Sequence, residues 1–131
     1  MPARYLVLCT GNRCRSQMAH GFLQKALPNA EIFSAGTHPK GVHPTAIEVM
    51  KEKDIDLAGH TSDHVDQYRD QSFDAVITVC DAAKESCPVF PGAKRTIHHS
   101  FDDPDGQDLD TFRRVRDEIQ DWASRFSKTI S

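Results

Sequence analysis

A single α/β domain, with a four-stranded parallel sheet layered between helices, is the fold this sequence predicts. Strand-length apolar runs alternate with segments of helical periodicity, the pattern of a parallel sheet with crossover helices. The strongest runs are almost continuously apolar, as buried strands are. Two of the three best strands also stop at a cysteine. In open α/β sheets ligands bind at the carboxyl ends of the strands, so both thiols are expected to open onto one edge.

Tyr5–Leu8 is the first strand, ending at Cys9. Ser16 to Leu27 reads as a helix, with Met18, Phe22, Leu23 and Leu27 at helical spacing. Pro28 and Asn29 close it, and Glu31–Ala35 is a second strand ending at Gly36. Pro44 suits the first turn of a helix carrying Ile47, Val49 and Met50. The stretch after Gly59 reads as a helix start, and Lys51–Asp54 as a solvated helix terminus. Asp74–Val79 is the third strand, ending at Cys80, and Arg95–His98 a weaker fourth. In the last helix Phe112, Val115, Ile119, Trp122 and Phe126 form one apolar stripe, a core face rather than a partner groove. No internal repeat or linker divides residues 1–131 into more than one domain.

Composition narrows the function classes. With 131 residues, 38% hydrophobic and 27% charged, the chain fits one soluble domain around one core. A net charge of −3 gives no electrostatic footprint for nucleic acid, so an anionic substrate needs local positive potential. The Met-Pro-Ala-Arg start carries no secretory signal, no run is long enough to span a membrane, and a cytoplasmic monomer is expected. The cysteines are 9, 14, 80 and 87. In a cytoplasmic chain they read as reactive or redox thiols rather than bridges, and no pair has zinc-knuckle spacing.

Residues 9–16, Cys-Thr-Gly-Asn-Arg-Cys-Arg-Ser, carry the chemistry. A strand that ends at Cys9 and turns through Gly11 into a helix can aim several backbone N–H groups at one tetrahedral oxyanion. Helix-terminal dipoles and Arg15 also favour the Cys9 thiolate. The loop lacks the Gly-Lys-Ser/Thr ending of a Walker A sequence. Ser16 can hydrogen-bond the thiolate or cap the helix, and Asn12 is suited to a left-handed turn. Cys14 packs or supports the turn rather than reacting.

This segment resembles the loop of the low-molecular-weight protein tyrosine phosphatases. Ser16-Gln-Met-Ala19, Ser34-Ala-Gly36, His60-Thr-Ser-Asp63, Val79-Cys80 with Cys87-Pro88, Phe101-Asp-Asp-Pro104 and Arg114-Val-Arg-Asp-Glu-Ile119 narrow the resemblance to thioredoxin-coupled arsenate reductases of that fold. The resemblance runs in order over nearly the whole chain. It implies that Thr10, Gly11, Asn12, Arg13, Cys14, Arg15 and Ser16 cradle arsenate or another tetrahedral oxyanion. Cys9 would be the nucleophile and Asp103 the proton donor; by itself Asp103 also reads as a turn residue before Pro104, and Asp102 as a turn residue only. Cys80 would attack Cys9 to release arsenite, and Cys87 would then form a Cys80–Cys87 disulfide that thioredoxin reduces. The polar Asp81–Ser86 stretch, followed by Pro88, would partly unwind to present that disulfide.

The resemblance gives Asn12 a scaffold role with Ser34, Thr61 and Asp63. Some relatives bind potassium there with an acidic residue; His20 stands in its place here, which counts against potassium. No other cofactor and no metal are expected: His60 and His64 lack an HExxH pattern, and His98 and His99 read as strand-end residues. Two other functions compete. A tyrosine phosphatase would share the loop, but Asp103-Pro-Asp-Gly106 replaces the Asp-Pro-Tyr-Tyr type of segment and the extra cysteine pair has no use. A non-catalytic oxyanion-binding or redox-sensing module would use the same thiols.

Overall fold

The computed structural model describes residues 2–80 and 92–130. The sheet contains β1 (Arg4–Cys9), β2 (Glu31–Gly36), β3 (Ala75–Thr78) and β4 (Thr96–His98), in the order β2-β1-β3-β4, all parallel. The chain leaves β1 to one side for β2 and returns to the other for β3. That reversal of strand order makes the carboxyl end of β1 the place for a ligand.

The strand sequences explain their burial. Tyr5, Val7 and Cys9 point into the larger core cluster, with Ala75 and Ile77 of β3; Leu6 and Leu8 point into a smaller one with Phe73 and Val76. Side chains of a strand alternate between faces, so a strand apolar at every position must be covered twice. The larger cluster takes in α1 (Arg15–Ala26), α2 (Pro44–Lys51) and α3 (Leu109–Ile130). The smaller face is covered by Val65 and Tyr68 of the 3₁₀ helix Val65–Tyr68. That short helix, capped by the His64 ring, replaces the helix read after Gly59; Gly59 itself lies in a turn.

Helix starts follow local chemistry. Pro44 occupies the first turn of α2, and His43 Nδ1 accepts the Thr45 N–H at 3.0 Å. The stripe on α3 is core: Phe112, Val115, Ile119, Trp122 and Phe126 are all buried. Arg116 is buried beside it and donates to the Val49 carbonyl at 3.0 Å and to Glu52. On α1, Ser16 does not cap the helix: the helix begins at Arg15, no side chain caps it, and the Cys14 carbonyl accepts from Met18 N–H at 2.9 Å.

Candidate active site

Between Cys9 at the end of β1 and Arg15 at the start of α1 the backbone makes a tight turn. Asn12 sits at φ +45°, in the left-handed region, with its side chain wholly buried. Its Oδ1 accepts the Asp63 N–H at 2.9 Å and its Nδ2 donates to Ser16 Oγ at 2.7 Å. Ser16 Oγ in turn lies 3.0 Å from Cys9 Sγ. A hydrogen-bonded file thus runs from the loop after residue 60 to Cys9 Sγ.

The loop carbonyls are all engaged from outside. Thr10 O accepts from His38 N–H at 2.8 Å, Gly11 O from Lys40 N–H at 3.0 Å and Arg13 O from His43 N–H at 3.0 Å. Asn12 O accepts from Ser62 Oγ at 2.8 Å and Gln17 Nε2 at 3.1 Å. A planar trans peptide points its N–H opposite to its C=O. Carbonyls turned outward therefore turn the following amides inward, which is the arrangement an oxyanion needs. Gly36 lets β2 approach this closely: a Cβ there would lie 2.5 Å from Thr10 O and 2.8 Å from Asn12 N.

The loop encloses a cavity of about 270 Å³ lined by Cys9, Thr10, Gly11, Arg13, Cys14, Arg15, Lys40, Asp103 and Asp105. Arg15 enters it mostly buried, donating to Phe101 O at 3.1 Å and lying 3.5 Å from the Asp103 carboxylate. Asp103 also accepts the Asp105 N–H at 3.0 Å, so the turn and site readings of that residue coexist. Asp102 points away, 3.2 Å from Arg114.

Cys80 follows β3 by two residues. Val79 N–H donates to Leu8 O at 2.9 Å, which carries the chain past the sheet beside β1 and brings Cys80 Sγ to 3.5 Å from Thr10 Oγ1. Both Cys9 and Cys80 are buried at this one edge. Cys87 and the Asp81–Ser86 stretch lie outside the described residues. Cys14 is also buried, and its thiol is pushed up to about 12 by burial first, then by the Asp105 and Asp103 carboxylates and Cys9. It stays a protonated thiol that packs.

Behind the loop a second cavity of about 280 Å³ is lined by His20, Ser34, His60, Thr61 and Asp63, among others. His20 Nδ1 meets Ser34 Oγ at 2.8 Å, and the His20 and His60 rings lie 4.5 Å apart. Burial, then the neighbouring His60, pushes His20 down to about 4, and burial lowers His60 as well. Potassium requires a shell of oxygens, and these residues do not fit it. The His20 ring presents a nitrogen to Ser34 Oγ where a further oxygen would be needed, and the Thr61 hydroxyl donates to the Asp63 carboxylate at 3.0 Å. Among the described residues no buried side-chain polar atom lacks a partner.

Several residues that support the loop are given no role by the sequence alone. Gln17, fully buried, ties Asn12 O to Thr61 O and is held by His60 at 2.9 Å. Ser62, His43 and Asp105 also join the loop network. A polar residue on the buried face of a helix, as Gln17 is, was the one available hint. His98 bonds Thr78 Oγ1 at 2.7 Å, and His99, exposed, lies against Phe101. His60 and His64 serve separate turns, and among the described residues no group of His, Cys, Asp and Glu is arranged to hold a metal.

Residues 4–131 match the model of the family described as low molecular weight phosphotyrosine protein phosphatase. Arsenate reductase 2 of Staphylococcus saprophyticus is 47% identical over 120 residues, covering 91% of this chain and 92% of the relative. The arsenate reductase of Staphylococcus aureus is 46% identical over 114 residues, covering 86% and 87%. The fold superposes on an arsenate reductase in the phosphate binding state with a TM-score of 0.88 at 33% identity, covering 98% of this chain and 99% of the other. It also superposes on Vibrio vulnificus Wzb in complex with benzylphosphonate, with a TM-score of 0.82 at 25% identity, covering 97% and 98%.

Proposed function

We propose that this chain, which belongs to the low molecular weight phosphotyrosine protein phosphatase family, is an arsenate reductase that works through Cys9, Cys80 and Cys87. The observation that carries the reading is Cys80, buried beside the anion loop at 3.5 Å from Thr10 Oγ1. A phosphatase needs one thiolate and water; a reductase needs a second sulfur to receive the oxidising equivalents.

Arsenate binds in the cavity with its oxygens on the inward loop amides and the Arg15 guanidinium. The Cys9 thiolate, steadied by Ser16 Oγ, attacks arsenic, and Asp103 protonates the departing oxygen, which leaves as water. Cys80 thiolate then attacks Cys9 Sγ. The sulfur–arsenic bond breaks, its electron pair reduces As(V) to As(III), arsenite departs, and a Cys9–Cys80 disulfide remains. Cys87 attacks Cys80 Sγ, releasing the Cys9 thiolate, and thioredoxin reduces the Cys80–Cys87 disulfide by exchange. Asn12, Ser34, Thr61 and Asp63 hold the loop. The enzyme works as a cytoplasmic monomer, and among the described residues no helix is long and apolar enough to cross a membrane. Weak phosphatase activity accompanies reduction, because the first step is shared.

Arsenate-dependent NADPH oxidation with thioredoxin and its reductase tests this. Wild type turns over, whereas Cys80→Ser and Cys87→Ser stop. Undiminished turnover in either variant sinks the relay, and strong p-nitrophenyl phosphate hydrolysis without arsenate turnover makes the chain a phosphatase.

A further inference from the structure

Asp105 joins three segments that close the oxyanion cavity. Its Oδ2 lies 3.1 Å from Arg13 Nε of the anion loop, and its Oδ1 lies 3.3 Å from His43 Nε2 at the head of α2. Its backbone N–H donates to Asp103 Oδ1 at 3.0 Å. Both side-chain partners are themselves anchored. Arg13 Nη1 donates to the Lys40 and Gly41 carbonyls at 3.4 Å, and the His43 N–H donates to Arg13 O at 3.0 Å. The His43 ring packs on Phe112 of α3, with centroids 4.9 Å apart.

Asp103, by contrast, is half exposed and among the described residues pairs with Arg15 alone, at 3.5 Å. A general acid must reach the leaving oxygen within hydrogen-bond distance, and a displacement of about 1 Å can cost about a hundredfold in rate. We infer that Asp105 is a positioning residue, clamping the rim to Arg13 and His43 so that Asp103 stays over Cys9. Pro104 between the two aspartates fixes one backbone angle and shortens the lever. The Asp105 charge is matched by Arg13, so the clamp does not repel an incoming dianion. The inference rests on the reading of Asp103 as the acid.

The phosphatase side reaction tests it through leaving-group dependence. Phenyl phosphate needs a proton at its departing oxygen, whereas p-nitrophenyl phosphate leaves largely without one. Asp105→Ala should lower kcat for phenyl phosphate about tenfold and for p-nitrophenyl phosphate less than about threefold. Asp105→Asn, which keeps the backbone turn, should show the same preference with a smaller loss. In an Asp103→Asn background Asp105→Ala should add nothing, for phenyl phosphate and for arsenate alike. Equal losses on both esters, or additive losses in the double variant, overturn the clamp while leaving the Asp103 assignment in place. Undiminished phenyl phosphate cleavage by Asp103→Asn overturns it through its premise, and the cysteine relay stands or falls separately on Cys80→Ser.

Discussion

The floor and the rim of the oxyanion cavity are built in opposite ways. The floor, residues 9–16, is held by buried and part-buried, neutral hydrogen bonds: Asn12 to Asp63 and Ser16, Gln17 to Asn12 and Thr61, Ser62 to Gly11. The rim, from Asp102 to Asp105, is held by side chains that remain partly in water: Asp102 on Arg114, Asp103 on Arg15, Asp105 on Arg13 and His43. Buried neutral bonds hold a geometry regardless of salt, because each broken partner leaves a desolvated group unmet. Partly exposed ion pairs are weak and screened. The floor must present fixed amides to an anion, while the rim must admit substrate and return a proton donor to it.

The contrast is broken most severely at the rim's reacting group. Asp103→Asn should lower kcat for arsenate by about 10²–10⁴ while phosphate, as a competitive inhibitor, binds as before, because the floor is untouched. Lost phosphate inhibition would show that the rim helps hold the anion.

On the floor's side the largest effect is on stability in acid. His20 is held down to about 4, below its ordinary 6.5, so the unfolded chain binds a proton that the folded one refuses. Stability from this site is complete above about pH 6.5 and is lost as pH falls toward about 4, by at most roughly 3 kcal/mol. Urea unfolding at pH 7 and pH 4.5 measures it, and His20→Gln should flatten the difference; an unchanged slope would detach His20 from loop stability.

Asn12→Ala removes two buried hydrogen bonds and a residue suited to a positive φ, and should cost about 1–3 kcal/mol in urea at any salt concentration. At the rim, Arg114→Ala should lower the urea midpoint less than Asn12→Ala does, and that loss should shrink further in about 0.5 M salt, as expected for exposed pairs. A salt-sensitive Asn12 variant, or a salt-insensitive Arg114 one, would erase the distinction between floor and rim.

Much of this was legible in the sequence. β1 and β3 lie where almost continuous apolar runs put them, β2 and the weaker β4 where the strand–helix alternation does, and the stripe on α3 is core because a 3.6-residue period can bury only one face. The Cys9–Ser16 frame is visible as a strand–turn–helix junction carrying a cysteine and an arginine, although residues 38–63 hold its carbonyls in place. Of the two roles open to Ser16 the structure realises the contact with Cys9 and not the cap, because its Oγ is also taken by Asn12 Nδ2. The stretch after Gly59 forms only the 3₁₀ helix Val65–Tyr68; local propensity contains neither outcome.

Local sequence sets the strands, the three α-helices, the left-handed turn at Asn12 and the two cysteines after β1 and β3, because each follows from near neighbours in the chain. Only the tertiary structure decided that Cys80 stands beside Thr10, that Gly36 must lack a side chain, that Gln17 and Ser62 hold the loop carbonyls outward, and that Asp105 ties Arg13 to His43. Apart from Gln17 on Asn12, five positions away, these contacts join residues tens of positions apart. Their partners are fixed by strand order and by the need to satisfy every buried polar group.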